Sequence, residues 1–203
     1  MKINEKTIET NKKIVERYPF LLPRNVFDDE LDEDYNYEST WYDCIDEGWQ
    51  IGFGELLLED LREALIETDY IDEFRFMQIK EKYGELRLYC NGAPKKVHDV
   101  LRNYEFISRY VCIECGSPHA CIVDCYGWYL PLCEECWNKL SKKREEKGYK
   151  LISYEEAGGE ICELPDSYTI TTFFKGEDKE IVYDISETTN KIKEAYEKRK
   201  NKC

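Results

Sequence analysis

The sequence predicts an α+β fold: a small mixed body with a β-hairpin and flanking helices, and an embedded treble-clef or zinc-ribbon module. Three observations point there. Two β-rich runs meet at Lys82-Tyr83-Gly84, apolar residues recur at helical spacing on either side of them, and two Cys-x-x-Cys pairs follow at residues 112–115 and 133–136. At 203 residues, with sixteen Tyr, eight Phe and four Trp spread along it, the chain has enough apolar material for a real core.

The elements are expected in this order. Asn4 to Arg17 reads as a helix with Ile8, Ile14 and Val15 inward, stopping at Tyr18-Pro19 because the residue before proline disfavours the helical region. The proline-bracketed run 19–27 is expected to dock extended, and residues 28–39 to form an acidic loop. Trp41, Trp49 and Phe53, with Gly48, Gly52 and Gly54, read as an aromatic-glycine turn region before a helix from Glu55 to Thr68, which buries Leu58, Leu61, Ala64 and Leu65. The runs 74–81 and 85–90 form the hairpin, with Gly84 at a positive φ. Lys95 to Tyr110 reads as a helix with Val97, Val100, Leu101, Tyr104 and Ile107 inward. Strands are expected at 128–130, where Pro131 ends the run, and at 149–153, 168–174 and 180–185, the last two joined by Lys175-Gly176-Glu177-Asp178. A helix from Glu187 to Lys200 closes the chain. The implied organisation is a body with an acidic segment over 1–110, a four-cysteine module over 111–148, and a C-terminal hairpin and helix over 149–203.

The cysteine pairs carry the clearest chemistry. Seventeen residues separate CIEC from CEEC, the spacing of a four-thiolate zinc site. Each Cys-x-x-Cys turn supplies two thiolates to one side of a tetrahedral ion, so Cys112, Cys115, Cys133 and Cys136 are the expected ligands of one Zn²⁺. Gly116 suits a tight knuckle, and the second pair opens a helix over Glu134–Lys147. Four thiolates leave no open coordination position, which makes the metal structural. His119, Cys121 and Cys125 are the alternatives for one ligand.

Composition narrows the remaining possibilities. The longest apolar run, Leu56-Leu57-Leu58, is far short of a membrane span, and the first thirteen residues lack the apolar stretch of a secretory signal. A cytoplasmic protein with reduced thiols is therefore expected, with Cys44, Cys90, Cys121, Cys125, Cys162 and Cys203 as buried or incidental thiols. No P-loop, G-x-S-x-G or H-E-x-x-H string occurs. His98 lies on the polar side of its helix, and Asp72, Glu73, Glu81 and Lys82 give only a weak metal-nuclease pattern. No catalytic residue is assigned, and a non-enzymatic protein is expected.

Charge is unevenly placed. The net charge is −14, and residues 28–75 hold eighteen acidic groups against two basic ones. Such a block repels phosphate and attracts basic surfaces, unless it only keeps the chain soluble. Within it, Asp28, Asp29, Asp32, Asp34, Tyr35, Tyr37, Trp41 and Tyr42 combine carboxylates with aromatic rings, as interface hot spots do. Lys80 and Lys82 share one strand face, with Arg87 near them across the turn. These three form a small basic cluster, which the acidic segment 28–38 is able to neutralise.

Several strings together resemble a group of uncharacterised phage and prophage proteins. They are QIKEKYGELRLY at 78–89, the preceding Gly48-Trp49, YEFIS at 104–108, CIECG at 112–116 and Gly127-Trp128. That group carries a KEK(Y/F)GxLR(F/W)Y string, a downstream YE..S, and a zinc-ribbon tail with a Gly-Trp and a second cysteine pair. The resemblance covers roughly residues 18–140, and Glu85 stands where many such strings have a second glycine. It implies a mobile genetic element in a bacterium, and with it host takeover or evasion of host defence.

The function expected is therefore binding and inhibition of a host or defence protein, for example a CRISPR effector, through the acidic, aromatic-bearing surface. The alternative is a nucleic-acid-binding regulator that uses the zinc module and the basic cluster.

Overall fold

The computed structural model describes residues 5–25, 30–31, 33–174 and 177–201. Among these residues, helices and three two-stranded antiparallel sheets make a mixed α+β arrangement. It divides into two compact units, interleaved along the sequence: residues 1–46, 54–82 and 86–105 in the first, and 47–53, 83–85 and 106–203 in the second.

The first unit opens with α1 (Glu5–Arg17), which buries Val15 and Asn11. The Asn11 amide donates to the Tyr37 carbonyl at 3.0 Å and to Asp43 Oδ2 at 3.1 Å, tying the helix to the end of the acidic segment and to the turn after it. Residues 19–27 do not simply run extended. Pro19, with its φ preset, starts a 3₁₀ turn, Pro19–Leu21, that buries Phe20 and Leu21. Leu22 then has extended backbone, Arg24 N donates back to Leu22 O at 2.9 Å, and residues 26–27 of the expected run lie outside the described residues. A second 3₁₀ turn, Trp41–Cys44, is closed by a capping box between Thr40 and Asp43.

α3 (Glu55–Glu67) turns Leu57, Leu58, Leu61, Ala64 and Leu65 inward, the stripe its periodicity predicts. β1 (Phe76–Lys82) and β2 (Glu85–Cys90) pair as a hairpin. Its turn residues Tyr83 and Gly84 both have positive φ, 55° and 79°, so the two-residue turn is type I′, which matches the strand twist. The core collects Phe20, Phe74 and Phe76, the last two edge to face at 4.9 Å between centroids. α4 (Lys95–Ile107) buries Val97, Leu101 and Tyr104, while Val100 is half-buried and His98 exposed. The helix predicted to reach Tyr110 instead tightens into a 3₁₀ turn, Ser108–Tyr110. The Tyr104 hydroxyl donates to Asp60 Oδ2 at 2.6 Å, and burial raises its pKa well above the usual tyrosine value.

In the second unit the expected aromatic-glycine turn is helical. α2 (Glu47–Trp49) passes into a π-helical stretch, Gln50–Gly54, and buries Gly48, Trp49 and Phe53. β3 (Cys121–Asp124) and β4 (Tyr129–Leu132) form the next hairpin. β4 does not stop before Pro131 as expected. Pro131 pairs with Ile122, and its carbonyl accepts from Ile113 N at 2.9 Å, a bond that needs no proline N–H. α5 (Glu134–Glu145) follows directly.

Residues 149–153 are not a strand. Side chains take their carbonyls: Trp137 Nε1 and Ser141 Oγ donate to Ile152 O, and the Tyr126 hydroxyl to Lys150 O. β5 (Ser167–Phe174) and β6 (Glu177–Asp184) pair in full register, so Glu177 and Asp178 belong to a strand where a turn was expected. Lys175 and Gly176 lie outside the described residues. α6 (Ser186–Lys200) ends the chain with Thr189 and Ile192 buried.

Candidate metal centre

The four predicted ligands converge. The sulfurs of Cys112, Cys115, Cys133 and Cys136 all lie within 4.8 Å of one another. An ion bound at about 2.3 Å from each of four tetrahedral sulfurs spaces them about 3.8 Å apart; Cys115 Sγ and Cys133 Sγ are 3.7 Å apart. Donor set and spacing thus fit a metal such as zinc.

Local folding explains the convergence. Gly116 N donates to Cys112 O at 2.9 Å and Cys112 N to Ser117 O at 2.8 Å, folding the first pair into a closed loop. Cys133 caps α5 with extended backbone, and Cys136 lies in the first helical turn. The β3–β4 hairpin returns the chain from the first pair to the second. Behind the site, Trp137 is fully buried and stacks on Tyr126, while the Tyr154 hydroxyl donates to Leu132 O at 2.7 Å.

The sulfurs hold one another in unequal protonation states. Thiol hydrogen bonds from Cys115 and Cys133 hold the Cys112 pKa far down, to about 2. The same bonds to Cys112 push Cys115 up to about 12 and raise Cys133 strongly, while burial leads the rise at Cys136 to about 12. A cation among the four sulfurs would offset their mutual repulsion as thiolates and favour the ionised forms.

Gly48 and Trp49 support the site from outside the cysteine segment, a role that spacing alone does not reveal. Gly48 N donates to Ile113 O at 2.9 Å. Trp49 Nε1 donates to Ser108 O at 3.1 Å and Val111 O at 3.0 Å, just ahead of Cys112. Gly116, at φ 70°, packs on Gly48 O and Gly52 N. The Gly-Trp and CIECG strings therefore meet in space.

No family model, curated protein or solved structure matches the chain.

The other predicted residues fall elsewhere. Asp28, Asp29 and Asp32 lie outside the described residues. Asp34 is exposed, whereas Tyr35, Tyr37, Trp41 and Tyr42 are half-buried. Tyr35 and Tyr37 sit with their rings 4.9 Å apart, Lys12 lies over Tyr37, and Trp41 packs toward Phe76. Several α3 carboxylates meet the protein's own cations, Glu55 and Glu59 with Arg17 and Glu67 with Lys96. The type I′ turn sets Lys80 opposite Arg87, with Lys80 Nζ over the Tyr89 ring at 5.4 Å and Lys82 exposed. Among the described residues, Asp72, Glu73 and Glu81 do not converge on one point.

The cysteines also bring a correction. Cys121 and Cys162 are joined by a disulfide, where free thiols were expected. β3 and the segment after Gly159 bring their Cα atoms to 5.8 Å, within bonding reach. Forty-one residues of sequence separation leave no local signal for that pairing. Cys44, Cys90 and Cys125 are free, and Cys203 lies outside the described residues. With Cys121 engaged in this way, the alternative of Cys121 as a ligand of the four-sulfur site falls away. His119 is exposed, its ring edge-on to Tyr196.

No helix among the described residues is long and apolar enough to cross a membrane.

Proposed function

We propose that the chain is a non-enzymatic binding protein of phage type, and that it occupies a basic, nucleic-acid-binding surface of a host or defence protein such as a CRISPR effector. One structural Zn²⁺, held by Cys112, Cys115, Cys133 and Cys136 in a treble-clef-like module, fixes the fold and takes no part in chemistry.

The observation that carries this reading is the acidic block at 28–75, eighteen carboxylates against two cations. Because Arg17 and Lys96 answer the α3 carboxylates, the proposed surface centres on the segment before α2, where exposed Asp34 stands beside Tyr35 and Tyr37. Those rings are half-buried against each other, with Lys12 of α1 over Tyr37, a preorganisation that lowers the ordering cost of binding. Two arginines that nucleic-acid binding could use lie over the protein's own aromatic rings. The Arg144 guanidinium lies over Tyr126 and Tyr149 at 5.4 and 5.2 Å, and Arg199 lies over Tyr196.

The test is charge reversal of Asp28, Asp29, Asp32 and Asp34 to lysine, with the partner first captured from nuclease-treated and untreated bacterial lysate. The expected result is a protein partner that survives nuclease treatment and binds less tightly as salt rises. The reversed variant should bind at least tenfold more weakly, about 1.4 kcal/mol. Unchanged binding by that variant, or recovery only of nucleic acid, rejects the proposal.

A further inference from the structure

A second group of ligand atoms lies close to the four-sulfur centre. Cys121 Sγ, Cys162 Sγ and a carboxylate oxygen of Glu160 lie within 4.8 Å of one another. Cys121 opens β3 and pairs with Leu132, the neighbour of Cys133, so its position is fixed by the same hairpin. Glu160 and Cys162 flank Ile161, which is 97 % exposed; Glu160 is exposed as well, and Cys162 is half-buried. The Glu160 carbonyl oxygen also lies 3.1 Å from Cys121 Sγ. Glu160 and Cys162 line an open cavity of about 560 Å³, together with His119, Cys115 and Cys133.

We propose that Cys121, Cys162 and Glu160 form a second, thiol-gated site for a thiophilic divalent cation such as Zn²⁺ or Cd²⁺. As the disulfide, the two sulfurs have no thiolate to offer and the site is closed. A dithiol reductant opens it: two electrons break the S–S bond, two protons pass to the sulfurs, and the reductant becomes a disulfide. The cation then binds both thiolates and the Glu160 carboxylate, and the two protons leave to solvent. Three protein ligands leave a fourth position toward the cavity, for water or for His119. This open position distinguishes the site from the closed four-sulfur centre. The inference stands independently of the partner-binding reading.

The experiment counts metal on the full chain. Protein prepared oxidised and protein reduced with a phosphine or dithiol are each saturated with Cd²⁺ and desalted. Bound metal is then measured by mass spectrometry, with sulfur-to-cadmium absorbance recorded alongside. The result expected is one more equivalent in the reduced protein than in the oxidised protein. Cys162→Ser abolishes that extra equivalent. Glu160→Gln leaves both sulfurs in place and weakens the extra equivalent by more than the roughly tenfold that loss of an outer-shell partner costs. Equal counts in the two redox states overturn the proposal, as does an extra equivalent that survives in Cys162→Ser. The four-sulfur centre is read separately, as the equivalent present in the oxidised protein.

Discussion

A β-carbon on Gly48 would lie 2.3 Å from the carbonyl carbon of Ile113 and 2.4 Å from the carbonyl oxygen of Cys112. Both contacts are backbone, so no side-chain rotation relieves them. Gly48→Ala must therefore push the first cysteine loop away from α2. The expected loss is about 1–3 kcal/mol by analogy with overpacked cores, read as a lower denaturation midpoint together with faster loss of metal to a chelator. An unchanged midpoint and unchanged metal retention would show that Gly48 does not brace the loop. Residue by residue, legibility was uneven. The four ligands were readable because tetrahedral geometry dictates their spacing. Gly48 was not, because a close backbone approach across sixty-odd residues leaves no periodicity. The Cys121–Cys162 pair was missed for the same physical reason: nothing local prescribes a contact that only the folded β3 creates.

At the level of elements, periodicity did well where one face of an element is buried. α1, α3, α4, the β1–β2 hairpin and α6 all stand where their apolar spacing placed them. It failed where backbone groups find unusual partners. Residues 149–153 have strand-like composition, yet Trp137, Ser141 and Tyr126 take their carbonyls. The run 47–54 contains three glycines and still winds into helix, because its aromatic residues are buried. β3, β4 and α5 are short, and the four sulfurs bring the loop before β3 to the start of α5. Removing the metal should loosen these elements before others. After chelation of the oxidised chain, hydrogen–deuterium exchange is expected to rise in 112–145 while α3 keeps its protection. Equal deprotection of α3 and 112–145 would contradict an embedded, metal-dependent module.

Across the whole molecule, charge and metal carry different parts of the account. The net charge of −14 sets which surfaces the protein approaches and how salt tunes that approach, and it says nothing about fold. In the second unit four cysteine sulfurs lie together in a geometry that could hold a metal such as zinc, and the proposed structural Zn²⁺ rests on them. X-ray absorption at the zinc edge of the oxidised full-length protein tests that claim most directly. The account predicts one zinc per chain with four sulfur neighbours at about 2.3 Å and no nitrogen or oxygen in the first shell. A first shell containing nitrogen or oxygen, or a chain that folds and holds no zinc, would contradict it.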